Sequence, residues 1–133
     1  MQSQKFKKGS GGLLQKAFRN FIKLFPEEQL FFKHSDASGI YCYETTHYMI
    51  TAKRYIWNGI ISVHNKILFD AYAKQKKIVV FISENNSFYF FKPEKIMDEG
   101  YENLRGKIIM INFPVKISER VISLTKNGLR NYV

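Results

Sequence analysis

At 133 residues, with 45% hydrophobic and 16% aromatic content, the chain suits one compact domain and excludes disorder throughout. No apolar run approaches the roughly 18 residues of a membrane span, and the lysine-rich start has no apolar signal core, so a cytoplasmic protein without membrane contact is expected. Lysine and arginine number 21 against 11 acids, a net charge of +10, and the lone Cys42 excludes an intrachain disulfide.

The basic surplus is uneven. Residues 1–25 hold Lys5, Lys7, Lys8, Lys16, Arg19 and Lys23 with no acid, and from Asn103 onward six basic residues face only Glu119. Such a surplus suits a polyanion such as nucleic acid, whose phosphates each add salt-dependent affinity. It is equally the solvated surface of a lysine-rich composition. Residues 1–12 are polar and end in Gly9-Ser10-Gly11-Gly12, so a mobile basic arm is expected, either an idle tail or a clamp on phosphates. A single domain over residues 13–133 follows.

Leu14, Ala17, Phe18, Phe21, Ile22 and Phe25 recur at spacings of three and four, the mark of an amphipathic helix that ends before Pro26. Lys16, Arg19 and Lys23 fall off its apolar stripe. A short strand is predicted over 29–33. Two apolar stretches, 40–43 and 48–50, flank the polar tip Glu44-Thr45-Thr46 and predict a β-hairpin. A looser apolar stretch covers 57–62. His64-Asn65-Lys66 opens a second helix with Ile67, Leu68, Ala71 and Tyr72 on one side and His64 as its cap; the basic end at 74–77 suits the helix dipole. Residues 78–82 form a β-branched run, read as a strand buried on both faces. A turn at 84–87 leads to a returning strand over 87–91, whose aromatics either stack bases or fill the core on one face. A brief helix from Pro93 to Met97, a strand over 107–113 and a final helix over 118–126, stopped by Asn127-Gly128, complete the order. The class is α/β (α+β), a single mixed sheet flanked by helices.

Within the hairpin, Asp36 stands just before the first strand and Lys53 at the end of the second. Antiparallel pairing returns those ends to one another. A carboxylate and an ammonium are the minimum for handling a metal-bound phosphate. A second carboxylate belongs two residues before the lysine, where alternation gives the same face of the strand. Thr51 occupies that position, and a hydroxyl is a poor substitute. His34, His47 and His64 lack zinc-like spacing with Cys42, and the glycines at 9–12 lack the lysine of a nucleotide-binding loop.

Asp36-Ala-Ser-Gly-Ile-Tyr followed by Tyr48-Met-Ile-Thr-Ala-Lys53 resembles the Asp and Glu-x-Lys motif of restriction-endonuclease-like nucleases, most closely the RecU-type Holliday junction resolvases. The likeness runs over about residues 8–125 and includes Lys8-Gly9-Ser10, Val63-His64-Asn65-Lys66-Ile67, residues 78–82, Phe88-Tyr-Phe-Phe-Lys-Pro and Asn112-Phe113-Pro114-Val115. It implies a restriction-endonuclease-like core in a homodimeric, magnesium- or manganese-dependent nuclease that cuts branched DNA, the four-way junction, in recombination and repair. By position it implies Asp36 as metal-binding acid and Lys53 as the transition-state lysine. Thr51 stands at the glutamate position, Asn65 at the glutamine position and His34 at a lesser ligand position. The cationic contacts to nucleic acid would be Lys5, Lys7, Lys8, Lys16, Arg19, Lys23 and Arg54. The long insertion of that family is missing between Phe25 and Asp36, as in the smaller archaeal resolvases. Three readings follow: a working resolvase, a junction binder that does not cut, or a general RNA- or other binding domain in which Asp36 and Lys53 form a structural ion pair.

Overall fold

A computed structural model of the chain describes residues 10–29, 31–54, 60–102, 106–110, 119–125 and 128–132. The three-and-four spacing of apolar residues forms α1 (Ser10–Leu24), which begins earlier than expected, so that Ser10, Gly11 and Gly12 make its first turn rather than the end of an arm. Pro26 stops it, and a 3-10 turn over Pro26–Glu28 follows. That turn drives Glu28 inward and displaces the predicted strand at 29–33 to β1 (Phe32–Asp36).

The predicted hairpin is β2 (Gly39–Glu44) and β3 (Tyr48–Lys53), with Tyr43 opposite Ile50 and Glu44 opposite Met49. After β4 (Ile60–His64) comes α2 (Asn65–Lys74), and His64 caps it as the sequence predicts: its Nδ1 accepts from the Lys66 N–H at 3.1 Å. The crossover through α2 returns the chain to β5 (Lys77–Ile82), parallel to β3, because only a long connection lets two strands run the same way side by side. Then come β6 (Ser87–Phe91), α3 (Pro93–Glu99), β7 (Tyr101–Glu102) and β8 (Gly106–Met110). The predicted strand at 107–113 agrees with β8 over 107–110, and its last three residues lie outside the described residues.

The predicted final helix over 118–126 is instead β9 (Arg120–Thr125), followed by β10 (Gly128–Tyr132). The run Val121-Ile122-Ser123-Leu124-Thr125 is rich in β-branched residues, and β6 offers it a free edge: Phe88 pairs with Ile122 and Tyr89 with Val121. Sheet pairing outweighed a weak helical period. The resulting mixed sheet runs β1-β2-β3-β5-β6-β9-β10, antiparallel except at β3–β5. A small antiparallel sheet of β4, β8 and β7 joins α2 and α3 beside it.

Alternation along the strands divides the core between two faces. On one, α1 sets Leu14, Ala17, Phe18 and Phe21 against Tyr43, Ile50, Ala52, Val79, Phe81, Phe88, Phe90 and Ile122. On the other, Ile67, Leu68 and Ala71 of α2 meet Cys42, Met49, Ile78, Val80, Ile82, Tyr89 and Phe91. Buried on both sides, β5 needs the continuous apolar run that the sequence shows. All five residues of β6 are buried too, so its aromatics are core on both faces rather than one.

One irregularity bears on the candidate site. His34 pairs with Cys42 but Ser35 with Ile40, so Tyr41 is an extra residue, a bulge in β2. Tyr41 and Cys42 in consequence both contact the α2 side, while Ile40 and Tyr43 pack toward α1.

Candidate functional site

Asp36 ends β1 in a tight turn. Its Oδ1 accepts the Ser38 N–H at 2.8 Å, and Gly39 opposite it holds φ at +115°, a conformation open to glycine. Lys53 ends β3. The recorded β2–β3 pairs lie near the hairpin tip, Tyr43 with Ile50 and Glu44 with Met49, so Asp36, the start of β2 and Lys53 all lie at the end of three neighbouring strands away from that tip. Both also project to the α2 side. Lys53 shares its face with Met49 and Thr51, and Asp36 shares its face with His34, which reaches the α2-side carboxylate of Glu44. The hairpin thus delivers the predicted pair to one end and one face of the sheet.

Lys53 is half-buried, and burial depresses the pKa of its ammonium. Among the described residues no carboxylate offsets that cost in a salt bridge, so an anion arriving here would meet a poorly solvated positive charge. Arg54, the next residue, is exposed.

Three residues absent from the predicted site complete this end of the molecule. Re-aimed by the bulge, Tyr41 lies nearly parallel to the His64 ring at 6.3 Å, and the Lys66 Nζ stands 5.6 Å from its ring centre. Burial first, and then the negative field of Asp70 and Asp36, raise the pKa of its phenol. Asp36 and Asp70 are therefore near enough to Tyr41 to act on it through their field. The signal for Lys66 and Asp70 was present in the sequence: with Lys74 they recur every four residues, which puts them on one side of α2.

Of the other predicted metal positions, Thr51 and His34 are engaged elsewhere. The Thr51 hydroxyl is buried and donates to the Tyr41 carbonyl at 3.1 Å. Asn65 is the first residue of α2. The His34 Nε2 is 2.7 Å from Glu44 Oε1. Asp36 remains the sole carboxylate of the set, and magnesium and manganese favour several hard oxygens, carboxylates above all. Among the described residues no group of three or more His, Cys, Asp or Glu could hold a metal ion. The donor set fits such an ion poorly.

Glu44 stands at the far end of β2, as its place at the hairpin tip implied, and there it is the centre of an ionic cluster. Glu44 is 4% exposed, and its carboxylate accepts from Lys74 at 3.0 and 3.2 Å and from Lys76 at 2.5 Å, besides its bond with His34. Nearby, the buried Glu28 holds the His47 backbone N–H at 3.0 Å and its ring Nδ1 at 2.5 Å. Burial would raise the Glu28 pKa, but the bonds from His47 and Thr45 outweigh it and the net direction is down. These pairs tie the strand tips together.

The predicted nucleic-acid contacts divide. Lys16, Arg19 and Lys23 are exposed on α1, on the opposite face of the sheet from Asp36 and Lys53, whereas Arg54 adjoins Lys53. Lys5, Lys7 and Lys8 lie outside the described residues. No described helix is long and apolar enough to cross a membrane. No family model, no curated protein and no solved structure matches the chain.

Proposed function

We propose that the chain is a resolvase-like protein that binds branched DNA, the four-way junction above all, as a homodimer, and that its core is of the restriction-endonuclease-like kind. The observation that carries this reading is the placing of Asp36, Gly39 and Lys53 at one end of neighbouring strands, in a sheet where a helix and an antiparallel three-strand meander lead through β4 and a crossover helix to a strand parallel to the third. Lys53, Arg54 and Lys66 supply cations at that end, and Lys16, Arg19 and Lys23 supply them on the opposite face. A straight duplex meets one such surface at a time. The diverging arms of a junction present phosphates to both, and each contact adds salt-dependent affinity.

Binding is favoured over cutting because Thr51 gives its hydroxyl to Tyr41 and leaves Asp36 as the lone acid of the predicted metal set. Competition binding of labelled four-way junction, duplex and single strand at two salt concentrations tests the reading, with tightest binding expected for the junction. Equal affinity for all three would reduce the site to generic electrostatics. Incubation of the same junction with magnesium or manganese separates a binder from a nuclease.

A further inference from the structure

At the other end of α2 from Asp36 and Lys53, a cleft of about 600 Å³ opens between the helix terminus and the start of α3. Tyr72, Lys76, Lys77, Lys92 and Pro93 line it. The sequence pattern groups Tyr72 with Ile67, Leu68 and Ala71 on one side of α2, yet it is 54% exposed, and Phe69, three residues earlier on the same helical side, is 57% exposed. Two bare aromatic rings in succession on one helix are costly in water unless something covers them.

The charges beside them are incompletely compensated. Lys77 Nζ is 2.7 Å and Lys92 Nζ 3.8 Å from the same Glu119 carboxylate, so two ammoniums share one negative charge. Lys76 and Lys74 likewise share Glu44. Glu94 is the remaining acid on the lining, which leaves the cleft with positive charge in excess. Flat apolar rings beside surplus ammoniums match one chemistry well: a heterocyclic base with a phosphate attached. A paired base hides its faces in the duplex stack, whereas an unpaired one offers a face to an exposed ring.

We propose that this cleft binds an unpaired nucleotide of a nucleic-acid strand, its base stacked on Tyr72 with Phe69 continuing the aromatic step, and its backbone phosphates held by Lys77 and Lys92. The site is separate from Asp36 and Lys53, so junction preference can fail while this assignment stands, and the reverse.

Fluorescence anisotropy of the full chain with a labelled single-stranded oligothymidine, against a duplex of equal length, tests it. Tyr72→Ala weakens single-strand binding by roughly 5- to 150-fold, the range expected for loss of one stacked base, leaves duplex binding unchanged, and Tyr72→Phe restores it. Lys77→Gln and Lys92→Gln each flatten the salt dependence of single-strand binding by about 0.7 in the log–log slope. Circular dichroism checks that each variant keeps its fold. Loss of single-strand and duplex affinity in equal measure, or no loss at all, overturns the proposal. So does displacement of the oligonucleotide by free ATP at concentrations where a second oligonucleotide competes no better, because the ligand would then be a mononucleotide rather than a strand.

Discussion

Replacing Glu44 by glutamine keeps the shape of the side chain and removes the negative charge that Lys74 and Lys76 share and that His34 is bonded to. Burial alone would raise the pKa of this carboxyl, but its bonds from Lys76, His34 and Lys74 outweigh burial and bring it from 4.5 to about 2. At roughly 1.4 kcal/mol per pH unit, that displacement corresponds to roughly 3 kcal/mol of stability. The sign follows from the depressed value: the unfolded chain binds the proton more readily, so the contribution is complete above about pH 4.5 and disappears as pH falls toward 2. In a domain of this size roughly 3 kcal/mol moves the midpoint of thermal unfolding by about 10 °C. Glu44→Gln should therefore melt about 10 °C below the parent at pH 7, and the gap should close progressively between pH 4.5 and pH 2.5. Melting curves followed by circular dichroism at four pH values across that interval measure it. A gap under 2 °C at pH 7, or one that stays constant down to pH 2.5, refutes the claim that the cluster stabilises the fold through this ionised group.

Gly39→Ala introduces a Cβ into open space, with nothing within 4 Å, at a φ of +115°. Its cost is conformational alone, roughly 1–3 kcal/mol, and chemical denaturation should show it with an unchanged slope. Lys53→Met removes a half-buried ammonium with no carboxylate partner among the described residues, so the variant should melt at or above the parent while its affinity for junction DNA falls several-fold by gel shift. Because burial lowers the Lys53 pKa, the parent should gain stability relative to that variant as pH rises toward 10.5, where the folded chain loses the proton before the unfolded one does. Thr51→Glu restores a carboxylate two residues before Lys53; a manganese-dependent rise in melting temperature together with metal-dependent nicking of labelled junction is the expected outcome, and neither effect appearing would remove Thr51 from the site.

The parts of this fold that local pattern encodes could be read from the residues themselves. α1, the β2–β3 hairpin, the His64 cap and the doubly buried β5 each follow from periodicity, capping chemistry or β-branched composition within a dozen residues. The hairpin put Lys53 and the start of β2 at one end, and Asp36 reaches that end through the turn from β1 into β2. What escaped depended on partners distant in the chain. β9 is a strand because β6 presents it an edge more than thirty residues earlier, and without that edge its spacing suits a helix equally well. Glu44 waits for lysines some thirty residues onward, and Glu28 for a histidine nineteen residues onward. The bulge at Tyr41 leaves no mark in composition, yet it decides which side of the sheet that ring occupies.

Asp36 and Lys53 are anchored unequally. Lys53 belongs to a strand that lies between β2 and β5, while among the described residues Asp36 terminates a strand with a neighbour on one side only. Edge elements open locally at lower free energy than central ones. An approaching anion would thus find its cation on a central strand and its acid on an edge strand. Part of the binding free energy must go into ordering that edge, and a ligand that does so should slow amide exchange across β1 far more than across β3.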